Sequence, residues 1–210
     1  FIKKSLSKTI TVEEKSAFDD LVTNIDKQTQ DLLVARIKSA FPTDNILAEE
    51  NNMVHNIKDG NVWVLDPIDG TVNFIVQQDN FCVMIAYYEK GQGKFGLIYN
   101  VMADQLFYGG GQFDVYCNDK LLSPYKRRPL DRCLVGSNAA MYAKNYHGIK
   151  GFIDKTLGVR VYGGAGLSMS KVLSGQILAY FSVIYPWDYA AASIMGKKLG
   201  YQLETITGEL

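Results

Sequence analysis

A short segment of this chain places two carboxylates and a hydroxyl within six residues. Asp66 and Asp69 follow an apolar run at residues 62–65, and Gly70 and Thr71 come next. Carboxylates held this close repel each other unless a proton or a cation lies between them, and paired oxygen ligands suit a hard cation such as Mg²⁺. Exposed backbone amides at Gly70 and Thr71 would bind a phosphate where the chain re-enters regular structure. The segment therefore indicates a metal and phosphate site.

Pro67 decides how we expect this segment to fold. Proline lacks the amide proton that a central strand needs, and it favours the second position of a turn. We therefore expect the strand to end at Leu65, so that Asp66 and Asp69 flank one tight turn. An ordinary type I turn has the same residue preferences. The segment alone thus leaves a purely structural turn open beside a ligand site.

Further acidic residues stand where strands end or helices begin. Glu49 and Glu50 close an apolar, strand-like run. If that strand lies beside the one that precedes Asp66 and ends at the same sheet edge, Glu49 approaches Asp66. Asp188 opens a clear helical segment, where a negative charge is favourable whether or not it binds a metal. A helix cap and a metal ligand both remain open for Asp188.

Two longer motifs give these residues a family context. Residues 66–74 read Asp-Pro-Ile-Asp-Gly-Thr-Val-Asn-Phe, and residues 187–191 read Trp-Asp-Tyr-Ala-Ala. An acidic pair stands at 49–50, an Asp-Leu-Val-Thr segment begins at Asp20, and Gly-Gly-Ala stands at 163–165. In this order the motifs resemble the inositol monophosphatase family of Mg²⁺-dependent, Li⁺-sensitive phosphatases, and the resemblance covers nearly the whole chain.

The resemblance implies a metal-activated water as nucleophile and two or three Mg²⁺ ions at one site. The implied metal ligands are Glu49, Asp66, the backbone carbonyl of Ile68, Asp69 and Asp188, with Asp66 shared between two ions. The implied catalytic residues are Glu49, Thr71 and Asp26, with Thr71 orienting the water and Asp26 as its partner. By its position in the sequence, Asp26 could instead be only a favourable charge in the first turn of a helix.

The resemblance also implies a substrate pocket, which departs from the family pattern at two positions. Its implied residues are Asp69, Gly70, Thr71, Gly163, Gly164, Ala165, Phe181 and Asp188. Gly164 stands where Ser or Thr is usual, although Gly-Gly-Ala could equally be a close strand-to-helix turn. Phe181 stands where inositol phosphatases typically carry an acidic residue that holds a ring hydroxyl. We expect an apolar wall at Phe181 to discriminate weakly among phosphorylated alcohols.

Hydrophobic periodicity predicts the elements that hold these residues. Apolar residues at helical spacing predict a helix over 25–41, with Thr23 or Asn24 as its N-cap and Pro42 beyond its end. Strand-like runs separated by turn residues predict an antiparallel meander at 81–88, 94–101, 105–108 and 113–117. Strands and helices then alternate, with strands at 133–135, 159–162 and 177–183 and helices at 146–156, 166–174 and from 188.

The order of these elements predicts a mixed fold, α+β in its first part and α/β in its second. With the resemblance, this implies a layered αβαβα, sugar-phosphatase-like fold in which an antiparallel meander precedes a second α/β part. We divide the chain near residue 125. Residues 1–125 would carry most of the metal ligands, and residues 126–210 would supply Asp188 and the substrate pocket.

Composition is typical of a soluble enzyme. Of the 210 residues, 47% are hydrophobic, and 22 basic residues balance 22 acidic ones, so no nucleic-acid footprint is visible. No run of 18 apolar residues argues for a membrane span. Cys82, Cys117 and Cys133 lack metal-ligand spacing, so free thiols in a reducing compartment are a better interpretation than a disulfide. We expect a cytoplasmic protein without nucleic-acid or membrane partners, and the resemblance implies a homodimer.

The sequence therefore predicts Mg²⁺-dependent hydrolysis of a small phosphorylated metabolite, and inositol monophosphate is the first substrate that the resemblance implies. Fructose bisphosphate, phosphoadenosine phosphate and NADP are alternatives within the superfamily. A non-catalytic regulatory binding protein is the alternative from another class, but binding alone does not need four convergent carboxylates. Family members usually extend further at both ends, so we expect this sequence to be a shortened form.

Overall fold

The computed structural model describes residues 1–205. The helices are α1 (Ile2–Ser5), α2 (Asn24–Ala40), α3 (Thr71–Gln77), α4 (Ala139–Ala143), α5 (Ile149–Ile153), α6 (Ala165–Leu173) and α7 (Pro186–Leu199). The strands are β1 (Val12–Glu14), β2 (Leu21–Thr23), β3 (Asn45–Ala48), β4 (Asn61–Asp69), β5 (Cys82–Glu89), β6 (Gln92–Asn100), β7 (Gln105–Gly110), β8 (Phe113–Cys117), β9 (Lys120–Leu121), β10 (Leu134–Ser137), β11 (Gly158–Arg160) and β12 (Tyr180–Phe181). Short 3₁₀ turns lie at Glu50–Asn52, Leu130–Arg132 and Tyr146–Gly148.

A seven-stranded sheet is the largest layer. Its strand order is β3-β4-β5-β6-β7-β8-β9, with β3 and β4 parallel and each later pair antiparallel. The predicted meander is therefore confirmed. Because β3 and β4 are parallel neighbours, their carboxyl ends meet at the same edge of the sheet, as expected for Glu49 and Asp66.

The strand that carries the first motif differs from the prediction. β4 continues through Pro67 to Asp69, so the expected tight turn flanked by Asp66 and Asp69 is wrong. Asp66 pairs with Met84 and Asp69 pairs with Cys82, which sets three residue steps on β4 against two on β5. This is a β-bulge, and it tolerates proline because the extra residue of a bulge makes no ladder hydrogen bond.

Helices cover both faces of the large sheet. On one face, Ile37 of α2 packs with Leu65 of β4 in an apolar cluster. On the other face, α6 and α7 pack against the strands in a larger cluster that includes Met195 of α7 and Val64 of β4. Successive side chains of a strand point to opposite faces, so α2 lies opposite α6 and α7.

A smaller parallel sheet forms the fourth layer. Its strand order is β11-β10-β12, and α6 contacts β12. On its other side, α4 and α5 pack in a cluster with Val135, Met141 and Ile153. The layers are therefore α2, the large sheet, α6 with α7, the small sheet, and α4 with α5. This arrangement confirms the layered αβαβα fold.

Several predicted boundaries shift in the structure. α2 is confirmed, with Thr23 as its N-cap. The helix expected at 146–156 is reduced to α5 and a 3₁₀ turn, because His147 and Gly148 have φ of 48° and 76°, outside the helical region. The strand expected at 177–183 is reduced to β12. α7 begins at Pro186, because proline favours the first helical position.

The division near residue 125 stays a prediction. α7 packs on the large sheet, while the amide of Tyr125 donates to the carbonyl oxygen of Leu199 at 2.7 Å. Residues 1–205 include no helix with both the length and the apolar character that a membrane crossing requires.

Candidate active site

Three aspartates converge beside the carboxyl end of β4. One carboxylate oxygen from each of Asp66, Asp69 and Asp188 lies within 4.8 Å of the other two. Asp66 and Asp69 flank the bulge of β4, and Asp188 is the third residue of α7. Asp66 and Asp69 are buried and Asp188 is half-buried. The structure thus brings together three of the five predicted metal ligands.

The N-terminus of α6 holds Asp69 in place. The amides of Ala165 and Gly166 donate to its two carboxylate oxygens at 2.7 and 2.8 Å. A Cβ on Gly164 would lie 2.7 Å from Asp69 Oδ2, closer than real Cβ contacts. Gly164 therefore allows the α6 N-terminus to approach the carboxylate this closely.

Asp188 is tied to the start of its own helix. Its Oδ2 accepts a hydrogen bond from the amide of Tyr185 at 2.7 Å. The two interpretations left open by the sequence therefore coexist in the geometry, since Asp188 caps α7 and also faces Asp66 and Asp69.

One carboxylate oxygen of the cluster has no partner in the described part of the protein. Oδ1 of Asp66 is buried without a hydrogen-bond partner. Burial, followed by the charges of Glu49, Asp69 and Asp188, raises the pKa of Asp66 well above its usual value. Burial likewise raises the pKa of Asp69 to about 6 and that of Asp188 to about 7. An unpaired buried oxygen among carboxylates fits a hard cation such as Mg²⁺.

Glu49 lies beside this cluster at the end of β3. Its amide donates to the carbonyl oxygen of Leu65 at 3.2 Å, which continues the pairing with β4. Nζ of Lys15 lies 2.8 Å from Glu49 and 2.6 Å from Glu50. Burial alone would lower the pKa of Lys15, but the two glutamates raise it, so Lys15 stays charged. The lysine thus neutralises part of the acidic charge next to Asp66.

A buried glutamine on α2 fixes the turn that carries Glu49. Gln30 is fully buried; its Nε2 donates to the carbonyl oxygen of Glu50 at 2.7 Å, and its Oε1 accepts from the amide of Glu50 at 2.9 Å. The sequence analysis missed this residue. The available signal was that Gln30 lies on the same helical face as Leu33 and Ile37, where a polar side chain must find a partner.

Asp26 and Thr71 meet as the resemblance implies. Thr71 Oγ1 lies 3.2 Å from Asp26 Oδ1 and 3.1 Å from the carbonyl oxygen of Ile68. A hydroxyl has one proton, so it donates to one of these acceptors at a time. Asp26 also accepts from the backbone amide of Thr23 in a capping box, and burial raises the pKa of Asp26. Asp26 is therefore both a helix cap and the partner of Thr71.

Asn73 of the first motif connects to the Gly-Gly-Ala segment at 163–165 through a hydrogen bond to the preceding residue. Nδ2 of Asn73 donates to the carbonyl oxygens of Tyr162 at 2.9 Å and Asn80 at 3.0 Å. Gly163 has φ of 79°, and a Cβ there would lie 2.7 Å from Asn73 Oδ1. Gly70 has φ of 84° and precedes α3, which begins at Thr71. Asn73 was not singled out from the sequence, although it belongs to the first motif.

Phe181 has contacts away from the carboxylates. Its ring packs against Phe152 of α5 at 5.5 Å between centroids, within the cluster under α4 and α5. Tyr180 packs instead with the cluster of α6 and α7, and burial raises its pKa, with the charges of Asp69 and Asp188 adding to the shift. Strand alternation was the missed signal for Tyr180. Substrate contact by Phe181 stays a prediction.

The fold and the site together define a metal-dependent phosphomonoesterase. Buried aspartates meet at the end of a sheet strand, and the first helix turn after that strand begins with Gly70 and Thr71. The model of the inositol monophosphatase family matches residues 1–210, and the chain belongs to that family. It is therefore a phosphoric monoester hydrolase, and Mg²⁺ is the cofactor that its carboxylates fit.

Relatives support this assignment over most of their length. Inositol-1-monophosphatase of Bacillus subtilis is 38% identical over 215 aligned residues, which cover 99% of this chain and 81% of that protein. A fructose-1,6-bisphosphatase/inositol-1-monophosphatase of Thermotoga maritima is 31% identical, with 94% and 76% covered. The Nus factor SuhB of Escherichia coli K12 is 29% identical, with 90% and 73% covered.

Solved structures agree with the fold. An IMPase/NADP phosphatase complexed with Mg²⁺ and phosphate superposes with a TM-score of 0.89 at 28% identity and covers 99% of this chain and 79% of that one. Inositol monophosphatase II from Staphylococcus aureus MSSA476 has a TM-score of 0.83 at 32% identity, with 89% and 74% covered.

Proposed function

We propose that this protein hydrolyses small soluble phosphate monoesters, with inositol monophosphate as the first substrate. The observation that carries the proposal is the buried, unpaired Oδ1 of Asp66 among convergent carboxylates. The proposed Mg²⁺ ligands are Glu49, Asp66, the carbonyl oxygen of Ile68, Asp69 and Asp188. We propose two or three ions per site, with Asp66 shared.

Each residue of the proposed site has its own role in the hydrolysis. Bound Mg²⁺ lowers the pKa of water and offsets charge on the leaving oxygen. Thr71 would accept a hydrogen bond from the attacking water and donate its own hydroxyl proton to Asp26, which lies 3.2 Å away. As the water attacks, its proton would pass to Thr71 Oγ1 while the hydroxyl proton of Thr71 passes to Asp26, so that Thr71 stays neutral. The amides of Gly70 and Thr71 bind phosphate oxygens. The amides of Ala165 and Gly166 fix the orientation of the Asp69 carboxylate, because they donate hydrogen bonds to both of its oxygens.

The choice of substrate rests on the names of similar proteins and on the pocket. Similar proteins include an inositol monophosphatase, a fructose-1,6-bisphosphatase/inositol-1-monophosphatase and an IMPase/NADP phosphatase, so fructose bisphosphate and NADP are alternatives. Phosphoadenosine phosphate is a further alternative that rests on the family resemblance alone. Gly163, Gly164, Ala165 and Phe181 complete the proposed pocket. Phe181 offers no hydrogen bond to a ring hydroxyl, which favours weak discrimination among phosphorylated alcohols.

A non-catalytic regulatory role is the alternative from another class. The relative named Nus factor SuhB makes it worth testing. The retained carboxylates argue against it, because a buried acidic cluster lowers stability without serving a binding-only protein.

We further propose a cytoplasmic homodimer without nucleic-acid or membrane partners. Cys82, Cys117 and Cys133 are all free thiols, which favours a reducing compartment. The dimer rests on the family resemblance alone.

Phosphate release is the direct test. Inositol 1-phosphate, fructose 1,6-bisphosphate, phosphoadenosine phosphate and NADP are each assayed with Mg²⁺ and with EDTA. We expect release that requires Mg²⁺ and falls with millimolar Li⁺, and a neighbouring structure is described as a LiCl-soaked inhibitory complex. Turnover that persists in EDTA would contradict the mechanism, and no release from any substrate would favour the regulatory role.

A further inference from the structure

A cavity lies at the opposite end of α6 from the carboxylate cluster. Its volume is about 280 Å³, and it is bounded by β9 and the segment that follows, by the C-terminus of α6 and by Tyr201. Leu122 and Leu173 are buried and contribute apolar surface to its wall. Because α6 has nine residues, its two ends lie roughly 13 Å apart at 1.5 Å per residue. The cavity is therefore separate from the proposed active site.

Three cationic side chains line this cavity, and none of its described lining residues is acidic. The cations are Lys120, Lys126 and Arg128. Within residues 1–205, none of the three forms an ion pair with a carboxylate. The chain as a whole has no net charge, with 22 basic and 22 acidic residues, so these cations form a local excess. A concave surface lined by one sign of charge attracts counter-ions.

Arg128 is held at the cavity by the end of α6. Its Nη2 donates to the carbonyl oxygen of Gly175 at 2.9 Å, just beyond the last turn of the helix. Burial raises the pKa of Tyr201, and the charge of Arg128 partly opposes this increase, so the guanidinium lies near that ring. A guanidinium has five N–H donors, and the contact with Gly175 uses one of them. A structural role at the helix end therefore accounts for one donor of Arg128 and for neither lysine.

The segment that carries these cations is fixed to the rest of the fold at two points. The amide of Leu122 donates to the carbonyl oxygen of Val115 at 2.8 Å, and the amide of Tyr125 donates to that of Leu199 at 2.7 Å. The rings of Tyr125 and Tyr201 also lie 5.3 Å apart between centroids. A ligand therefore meets a backbone that is already ordered, which lowers the entropy lost on binding.

We propose that this cavity is a second, non-catalytic binding site for a small polyvalent anion, a molecule that carries two or more phosphate or carboxylate groups. Three cations around one cavity can form charge-assisted hydrogen bonds to separate groups of such a molecule. The hydroxyls of Ser123 and Ser174 also line the cavity and offer further polar contacts. The volume of the cavity suits a small metabolite rather than a polymer. No lining residue belongs to the carboxylate cluster, so the proposal stands independently of the proposed function.

The test is isothermal titration calorimetry of the full chain with tripolyphosphate and, in a second series, with citrate. The protein is first freed of metal with EDTA and then of EDTA by gel filtration, because bound cations would attract the probes to the carboxylate cluster. We expect saturable binding of at least one probe at one site per chain, and the preferred probe distinguishes phosphate from carboxylate recognition. Lys126→Ala and Arg128→Ala should each lower the affinity by about tenfold, because each removes a charge-assisted contact.

Arg127→Ala is the matched control. Arg127 lies between Lys126 and Arg128 in the sequence and is exposed like them, but it does not line the cavity. At 0.15 M NaCl, charges outside the cavity are largely screened, so its affinity should stay within about twofold of the parent. Lys126 makes no ion pair or side-chain hydrogen bond within residues 1–205, so a loss of affinity in Lys126→Ala does not reflect misfolding.

Three results would overturn the proposal. The first is the absence of saturable binding by either probe at millimolar concentrations. The second is an equal loss of affinity in Arg127→Ala and Arg128→Ala, which would show a general attraction of anions to the basic segment. The third is a single-stranded oligonucleotide that binds more tightly than both probes and loses affinity in Lys126→Ala, which would assign these cations to nucleic acid.

Discussion

Asp66 is the residue at which we expect a cost in stability to coincide with a requirement for activity. Its buried Oδ1 has no hydrogen-bond partner, and its pKa is raised by burial and by the surrounding acids. An unpaired buried charge is unfavourable unless a cation binds to it. The same oxygen is therefore available as a metal ligand because the protein itself does not satisfy it.

Asp66→Asn should separate these two effects. We expect turnover with Mg²⁺ to fall by about a thousandfold or more, because the carboxylate that we propose as a ligand shared between ions is lost. In EDTA at pH 8, we expect the variant to melt at a higher temperature than the parent, since a neutral amide removes repulsion from the neighbouring carboxylates. Phosphate release and thermal melting measure the two outcomes.

Asp59→Asn provides the control for Asp66→Asn. The Asp59 side chain is 83% exposed and lies outside the cluster, so neither measurement should change. Turnover of Asp66→Asn within tenfold of the parent would contradict the bridging role.

Substitution of Gly164 should change the position of the Asp69 carboxylate without changing its charge. A Cβ there would press on Asp69 Oδ2, and the backbone at Gly164 has φ of −150°, which alanine adopts without strain. We expect Gly164→Ala to weaken Mg²⁺ activation by about 10- to 100-fold, the usual cost of disturbing a group that orients a ligand. Titrating turnover against Mg²⁺ concentration measures the shift.

Gly151→Ala is the matched comparison for Gly164→Ala. Gly151 lies in α5 with open space around the position of a Cβ, so alanine should leave Mg²⁺ activation unchanged. Equal Mg²⁺ requirements in both variants would show that Gly164 does not constrain Asp69.

At the scale of elements, local patterns in the sequence predict most of the fold. α2 and the meander follow from periodicity within single segments, and both are confirmed. The bulge in β4 could not be predicted, because it depends on how residues 66–69 align with β5. The short β12 depends in the same way on pairing with β10, which lies more than 40 residues earlier in the chain.

The candidate site shows the same limit. The aspartates that converge could be singled out from the sequence, since Asp66 and Asp69 lie near the carboxyl end of a strand and Asp188 lies in the first turn of a helix. The groups that hold them could not, because the amides that bind Asp69 come from 96 and 97 residues further along the chain. Gln30 likewise contacts Glu50 across 20 residues, through an alignment of α2 with the turn after β3 that no local pattern encodes.

Gln30 allows a test of how the contact between α2 and the turn after β3 affects stability and Mg²⁺ binding. In Gln30→Leu the amide and carbonyl of Glu50 lose their buried partners, so we expect the free energy of unfolding to fall by about 2–4 kcal/mol. We also expect a higher Mg²⁺ requirement, because the turn that carries Glu49 loses its anchor. Chemical denaturation and Mg²⁺ titration are the measurements.

Gln28→Leu is the control for Gln30→Leu. Gln28 lies on the exposed face of the same helix, so its substitution should change neither stability nor Mg²⁺ requirement by a comparable amount. Equal stability losses in the two variants would contradict the anchoring role of Gln30.

At the scale of the whole molecule, the cluster is assembled from distant parts of the chain. Asp66 and Asp69 come from the large sheet, whereas Asp188 and the amides that hold Asp69 come from α7 and α6. The packing of the two helices on the sheet therefore forces three carboxylates together. Because folding creates this repulsion, the stability of the entire protein should depend on whether protons or Mg²⁺ neutralise the cluster.

The direction in which stability changes with pH follows from the raised pKa values of the cluster. Burial raises the pKa of Asp69 to about 6 and that of Asp188 to about 7, from an ordinary value of 3.8. The folded, metal-free protein thus holds these protons more tightly than the unfolded chain. Their stabilising contribution is complete below about pH 4 and is lost as the pH rises through 6 to 7.

Mg²⁺ should therefore stabilise the protein more strongly at high pH than at low pH. At pH 8 the ion binds carboxylates that are already ionised, whereas at pH 5 it must displace protons from them. We expect the rise in melting temperature between EDTA and saturating Mg²⁺ to be larger at pH 8 than at pH 5, by on the order of 5 °C. Asp66→Asn should flatten this difference and Asp59→Asn should preserve it. A Mg²⁺ effect that is equal at both pH values in the parent would mean that the ion binds somewhere other than this acidic cluster.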